Sequence, residues 1–270
     1  MNLGLIKTAG IVTKEIKYGG SSKIITIITR DLGKISAIAN NARSGKSHML
    51  AGLQLFAFSE FVVFKSKGKN GLYKLDEVTV CESFANIRMS LEKLAYASYF
   101  AEVINFVSNE ESPDEELLRL MLNMLFVLDC DLQPFEKIKT VFEWRLAADL
   151  GYAPLIDEKC ANHTEAAHGT PEMLSLSDGQ VYCTSCAAQH GNTVRLSPSM
   201  LKTIDYICNS DSKKIFSFEA AEKNIEYLSR VSELYLEIQL EHKFGTLEYL
   251  KKVTALDKIG QSEDNNADKN

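Results

Sequence analysis

The sequence predicts an α+β chain in two parts, an N-terminal five-stranded barrel and then an all-α helical bundle with a metal-binding motif inserted into it. Three observations predict it. Residues 8 to 80 are short β-branched runs broken by glycine turns. From Phe84 onward the apolar period is helical. Cys160-Ala-Asn-His163 and Cys183-Thr-Ser-Cys186, with nineteen residues between them, then pair metal ligands at the spacing of two tight turns.

Thr8 to Ile16 is apolar and β-branched, and Tyr18-Gly19-Gly20-Ser21 supplies turn chemistry after it. Lys23 to Thr29 is the second strand, Arg30-Asp31-Leu32-Gly33 the next turn and Lys34 to Ala39 the third strand. Leu53 to Phe64 is the fourth, Gly68 to Gly71 a tight connection and Leu72 to Val80 the fifth. Five such strands with no helical period between them predict a small closed barrel of the oligonucleotide-binding (OB) type over residues 1 to 80. Phe56 and Phe58 fall on one strand face and Phe61 on the other, so these aromatics read as barrel core more than as stacking groups.

Net charge is −6, but residues 1 to 80 carry twelve Lys and Arg against five Asp and Glu, and the remainder eighteen against thirty-one. A barrel at +7 joined to a body at −13 points to a polyanion partner for the first part only. Lys23, Arg30 and Lys34 flank strand ends; Arg43, Lys46 and His48 follow the third strand; Lys65, Lys67 and Lys69 precede a hairpin. These lysines and arginines are the predicted phosphate contacts, which need only positive charge within reach of a backbone. Gly45-Lys46-Ser47 resembles the end of a P-loop, but the glycine that motif requires five positions earlier is Asn40.

Residues 81 to 255 are expected to be helical. Ile87 to Val107 is apolar on most sides, Ser112-Pro113-Asp114 opens a helix capped by Ser112, and Pro134 to Leu150 stops at Gly151. Ser197-Pro198 starts a helix running to about Cys208, Phe218 to Phe244 is a long amphipathic helix, and residues 256 to 270 read as a disordered polar tail. The clip at 160 to 186 reads as one structural zinc per chain held by Cys160, His163, Cys183 and Cys186, with His168 competing for the imidazole place. Four protein ligands leave no open position for catalysis. Cys81, Cys130 and Cys208 read as buried thiols. The N-terminus has no signal-like apolar run, and Leu117 to Leu128 is interrupted by Arg119 and Asn123, so a cytoplasmic protein with no membrane contact is expected. Five dispersed histidines suggest no catalytic triad, and no enzyme or small-molecule substrate is expected.

The order of these elements, with several short strings, resembles the RecO family of bacterial recombination mediators. The strings are Gly10-Ile-Val, Tyr18-Gly19, Gly33-Lys34-Ile-Ser-Ala-Ile, Ala42-Arg43 with Lys46-Ser47, and Leu53-Gln54-Leu-Phe56. Leu91 to Tyr99, Leu150-Gly-Tyr-Ala-Pro154, the cysteine clip and Leu196-Ser-Pro198 continue the series. The resemblance implies a DNA repair protein that binds single- and double-stranded DNA and anneals complementary strands. It also implies contact with the single-stranded-DNA-binding protein and, with RecR, help in loading RecA onto gapped DNA at the nucleoid. His163 stands where zinc-bearing members usually have a second cysteine. Two rivals stand beside this reading. One is a zinc-bearing adaptor that never touches DNA; the other is a zinc hydrolase with Glu165 or Glu172 as general base.

Overall fold

The computed structural model describes residues 4–40, 42, 49–65, 71–162 and 170–267. Alternation of buried and outward residues closes five strands into a barrel: β1 (Ile6–Tyr18), β2 (Ser22–Thr29), β3 (Gly33–Ala39), β4 (Phe58–Lys65) and β5 (Tyr73–Glu82). Their order is β1-β2-β3-β5-β4, antiparallel except for β3 beside β5, and β1 pairs β4 to close the ring. Val12, Ile25, Ile27, Ile35, Ala37, Phe61, Val63 and Leu75 fill the interior from alternate positions. A bulge between Val12 and Lys14 resets the phase of β1. Beyond the barrel lie α1 (Ala85–Met89), α2 (Leu91–Val107), α3 (Glu115–Asp129) and α4 (Phe135–Asp149), then β6 (Met173–Ser175), β7 (Val181–Tyr182), α5 (Thr184–Ala187) and β8 (Thr193–Arg195). The chain ends with α6 (Pro198–Asn209), α7 (Glu222–Gln239) and α8 (Gly245–Ala267).

These elements form two compact units, Met1–Leu132 with Phe244–Asn270, and Gln133–Lys243. In the first, the barrel, α1 to α3 and the C-terminal helix belong together. Glu102 of α2 accepts the backbone N–H groups of Gly245 and Thr246 at 3.3 and 2.8 Å, neutralising the N-terminus of α8. Phe244 meets the edges of Tyr99 and Phe106, with centroids 6.0 and 5.8 Å away. On the barrel side Thr13 donates to Asn105 at 2.8 Å. Gly33, at φ +66, lies against the Ser112 backbone, where a Cβ would collide.

In the second unit α4 packs on α7, with Trp144 and Tyr235 at a centroid distance of 5.0 Å. Lys139 is buried there. Its ammonium lies 2.9 Å from Glu143 and 3.3 Å from Glu233, and Ser232 donates to Glu143 at 2.6 Å, so the desolvated charge is compensated. β7-β6-β8 form a small separate sheet.

Several boundaries differ from the expectation for local reasons. The apolar stretch from Ile87 is two helices, because Ser90 is extended and caps α2 by accepting the Lys93 N–H at 3.3 Å. Asp114, not Ser112, caps α3, accepting the Leu117 N–H at 3.0 Å. Leu53 to Phe64 is not one strand: a 3-10 turn, Ala51–Leu53, comes first, and buried Phe56 sits before β4 at φ 68. The long amphipathic pattern is helical only over α7, and α8 runs to Ala267 through the polar C-terminal stretch. Of the three single cysteines only Cys208 is buried, and its burial pushes the thiol up to about 12. Cys81 and Cys130 are exposed, one near the end of β5 and one ending α3, where the chain leaves the core.

Candidate metal centre and nucleic-acid interface

The candidate metal centre is built by two short turns tied to β7. The Ala161 N–H donates to Val181 at 3.1 Å, fixing the first turn, and α5 begins directly after Cys183, with Cys186 one turn on. The Cys183 N–H donates to the Cys160 sulfur at 3.3 Å. Cys160, Cys183 and Cys186 are all buried, none is in a disulfide, and their sulfurs lie within 4.8 Å of one another. Sulfurs bound tetrahedrally at about 2.3 Å from zinc stand about 3.8 Å apart, so this triad fits such an ion. His163 and His168 lie outside the described residues. Among the described residues the group consists of these three thiols.

Electrostatics distinguish the sulfurs. Hydrogen bonding from the Cys186 backbone, ahead of the Cys186 and Cys160 side chains, holds the Cys183 thiol below its ordinary value, whereas burial pushes Cys186 up to about 11. A cation held between them would stabilise all three thiolates at once.

The polar shell beside the triad is one that ligand spacing does not disclose. His190 stacks on Tyr182 at 3.9 Å between centroids and lies 3.6 Å from Asp178, while the Tyr182 hydroxyl donates to Asp178 at 2.9 Å. Burial works to raise the Asp178 pKa, but hydrogen bonds from Gln180, Ser175 and Tyr182 and the nearby His190 bring it below the usual carboxylate range. The Tyr182 phenol is pushed up to about 12, first by burial and then by Asp178. The β6-β7 turn brings Asp178, and the turn after α5 brings His190, to the residue preceding Cys183. Of the two candidate general bases, Glu172 is paired with Arg195 at 2.9 Å and Glu165 lies outside the described residues.

The predicted phosphate contacts divide in three. Arg43, Lys46, Lys67 and Lys69, with His48, lie outside the described residues. Lys23, Lys34 and Lys65 already hold protein partners. Lys23 is 2.7 Å from Glu15, the Lys34 ammonium donates to the Asn105 carbonyl at 3.0 Å, and Lys65 is 2.5 Å from Glu111. The Tyr73 hydroxyl reaches the same Glu111 oxygen at 3.2 Å, and the Glu111 N–H donates to the Lys34 carbonyl at 3.2 Å. The Lys65 contact is the first cause lowering the Glu111 pKa and, reciprocally, raising that of Lys65. Arg30 is exposed, with no side-chain partner among the described residues. Three further exposed lysines, Lys14, Lys17 and Lys74, have no ion-pair partner among the described residues, although nothing in their sequence setting separates them from solubilising charges. No helix among the described residues is long and apolar enough to cross a membrane.

Residues 1–84 match the family model described as recombination protein O N terminal, and residues 88–248 match recombination protein O C terminal. The chain is 36% identical over 258 residues to the DNA repair protein RecO of Acetivibrio thermocellus, spanning 95% of this chain and 99% of that one. It is 30% identical to the RecO protein of Pelotomaculum thermopropionicum over 261 residues, 96% of both chains. To that of Alkaliphilus metalliredigens it is 29% identical over 250 residues, 92% of this chain and all of the other.

Proposed function

The chain belongs to the recombination protein O family, and from that premise we propose that it is a DNA repair mediator whose barrel holds DNA. In this reading it binds single- and double-stranded DNA, anneals complementary strands and contacts the single-stranded-DNA-binding protein. With RecR it helps load RecA onto gapped DNA in the cytoplasm, at the nucleoid. The observation that carries the reading is a closed OB-type barrel within residues that hold twelve basic groups against five acidic ones. Annealing follows physically from screening the charge of two backbones while leaving their bases free to pair. The zinc reading assigns Cys160, Cys183 and Cys186, with His163 as the expected fourth ligand, to one ion that cross-links the turns around β7 and α5.

A second reading, an adaptor without DNA contact, draws support from one specific observation: Lys23, Lys34 and Lys65 each already hold a protein oxygen. Binding of a fluorescent oligonucleotide to the whole chain across a salt series separates the two. The mediator reading expects log affinity to fall linearly with log salt, at about −0.7 per phosphate neutralised on a single strand. Absence of binding at low salt would leave the adaptor.

A further inference from the structure

The β3 edge of the barrel is shared between two partners. β5 pairs with it only at Ala37 and Ile38, and the segment between α2 and α3 takes the place beside Lys34. There the Lys34 N–H donates to the Asn109 carbonyl at 3.4 Å and the Glu111 N–H to the Lys34 carbonyl at 3.2 Å, a single parallel bridge centred on Glu110. The Lys34 ammonium donates to the Asn105 carbonyl in the last turn of α2 at 3.0 Å. This segment and the start of α3, residues 109–116, hold five carboxylates and no basic group.

Beside the bridge one carboxylate oxygen collects two donors. Glu111 Oε1 accepts from the Lys65 ammonium at 2.5 Å and from the Tyr73 hydroxyl at 3.2 Å, and the ammonium stands 5.8 Å from the centre of the Tyr73 ring. An ammonium and a phenol converging on one anionic oxygen form a donor set that a phosphate oxygen satisfies equally well. The hold is breakable. The Lys65 and Glu111 side chains are 56% and 48% exposed, so water and salt compete for the pair. Glu111 also sits at φ 53, a left-handed conformation that is costly for a residue with a Cβ and is maintained by its contacts with Lys34, Lys65 and Tyr73.

We propose that residues 109–112 are an autoinhibitory strap: Glu111 occupies the phosphate place on Lys65 and Tyr73, and DNA reaches this rim of the barrel by displacing it. The proposal rests on the nucleic-acid reading above and adds a control to it. The pairing of Lys34 and Lys65 then acts as a threshold. A single phosphate gains little over Glu111, whereas a strand that delivers several linked phosphates outcompetes one carboxylate. What lifts the strap is therefore a continuous polyanion rather than a nucleotide or inorganic phosphate.

The test measures binding of a fluorescent oligothymidine to the full chain at fixed salt. Glu111→Gln is expected to tighten binding about fivefold, and Glu115→Gln, which removes an equal charge outside the strap, to change it less than about twofold. In a Lys65→Gln background Glu111→Gln should change binding less than about twofold, because the contact it releases is already gone. Deuterium uptake over residues 109–112 of the unmutated chain should rise when oligothymidine is added, a readout that needs no variant to fold. Equal gains from Glu111→Gln and Glu115→Gln, or a gain that persists without Lys65, would reduce the effect to general charge and overturn the strap while leaving the DNA reading intact. Uptake that stays level or falls on binding would overturn it in the same way. No binding by the unmutated chain and by Glu111→Gln alike would remove both.

Discussion

The barrel buries Val12, Ile25, Ile27, Phe61 and Val63 with no exposed surface, whereas the cluster around the metal centre consists of Cys160, Tyr182, Cys183, Cys186 and Ala187 with Met173 at its edge. The two regions are ordered by different physics. Long paired strands bury enough apolar area to hold β1 to β5 by packing. β6, β7 and β8 are two or three residues long, and the thiols beside them are poor substitutes for leucine or phenylalanine. A region of this kind would gain rigidity from a cross-link, and the three thiols are placed so that one ion could supply it.

Breaking the cross-link should have the largest effect. Cys183→Ser is expected to lower bound zinc by about tenfold or more, read by metal analysis. Deuterium uptake should rise across residues 160 to 195 with no change in β1 to β5, and a chelator acting on the unmutated chain should give the same pattern. Loss of protection in the barrel as well would erase the contrast.

Cutting the apolar side should give the converse. Phe61→Ala leaves a cavity in the barrel and is expected to cost about 3–5 kcal/mol by denaturant unfolding, with zinc content unchanged. A smaller loss, about 1–3 kcal/mol, is expected for Gly33→Ala, which forces φ +66 on a Cβ facing the Ser112 backbone. Because that position joins the barrel to the segment before α3, crosslinking of oligonucleotide near Lys34 should rise in this variant.

The smallest effect is electrostatic. Glu111 has a lowered pKa, so its contact with Lys65 is fully present above the free carboxyl value of about 4.3 and is lost as pH falls through the lower folded value. Lys65 is raised, so on the alkaline side the contact is full below about 10.4 and is lost as pH rises through the higher folded value. An NMR titration should place the Glu111 midpoint below that of a free glutamate. A midpoint at or above it would remove the ion pair from the barrel's rim.

Charge shows where reading along the chain misleads. The barrel's +7 and the body's −13 suggest a clean division of labour, but the unit containing the barrel also contains residues 81–132 and 244–270, with seven basic and fifteen acidic groups. One of those acids, Glu111, neutralises a predicted DNA contact. Sequence distance hides this, since Lys65 and Glu111 are forty-six residues apart. The cap of α3 was missed for a different, local reason: Ser112 and Asp114 both satisfy the pattern, and the bond goes to Asp114, whereas Ser197 caps α6 as its sequence suggests.

The sequence by itself determined the barrel and its five strands, the helical period beyond it and the two cysteine turns. Each depends on interactions between near neighbours or on alternation along one strand, and those survive in a linear reading. Tertiary structure alone decided which lysines are already paired and which cysteines face solvent. It also aligned Ile16, Ile24 and Ile38 in one row. Those outcomes are set by strand register and by the docking of distant segments, where one residue's shift turns a side chain to the opposite face.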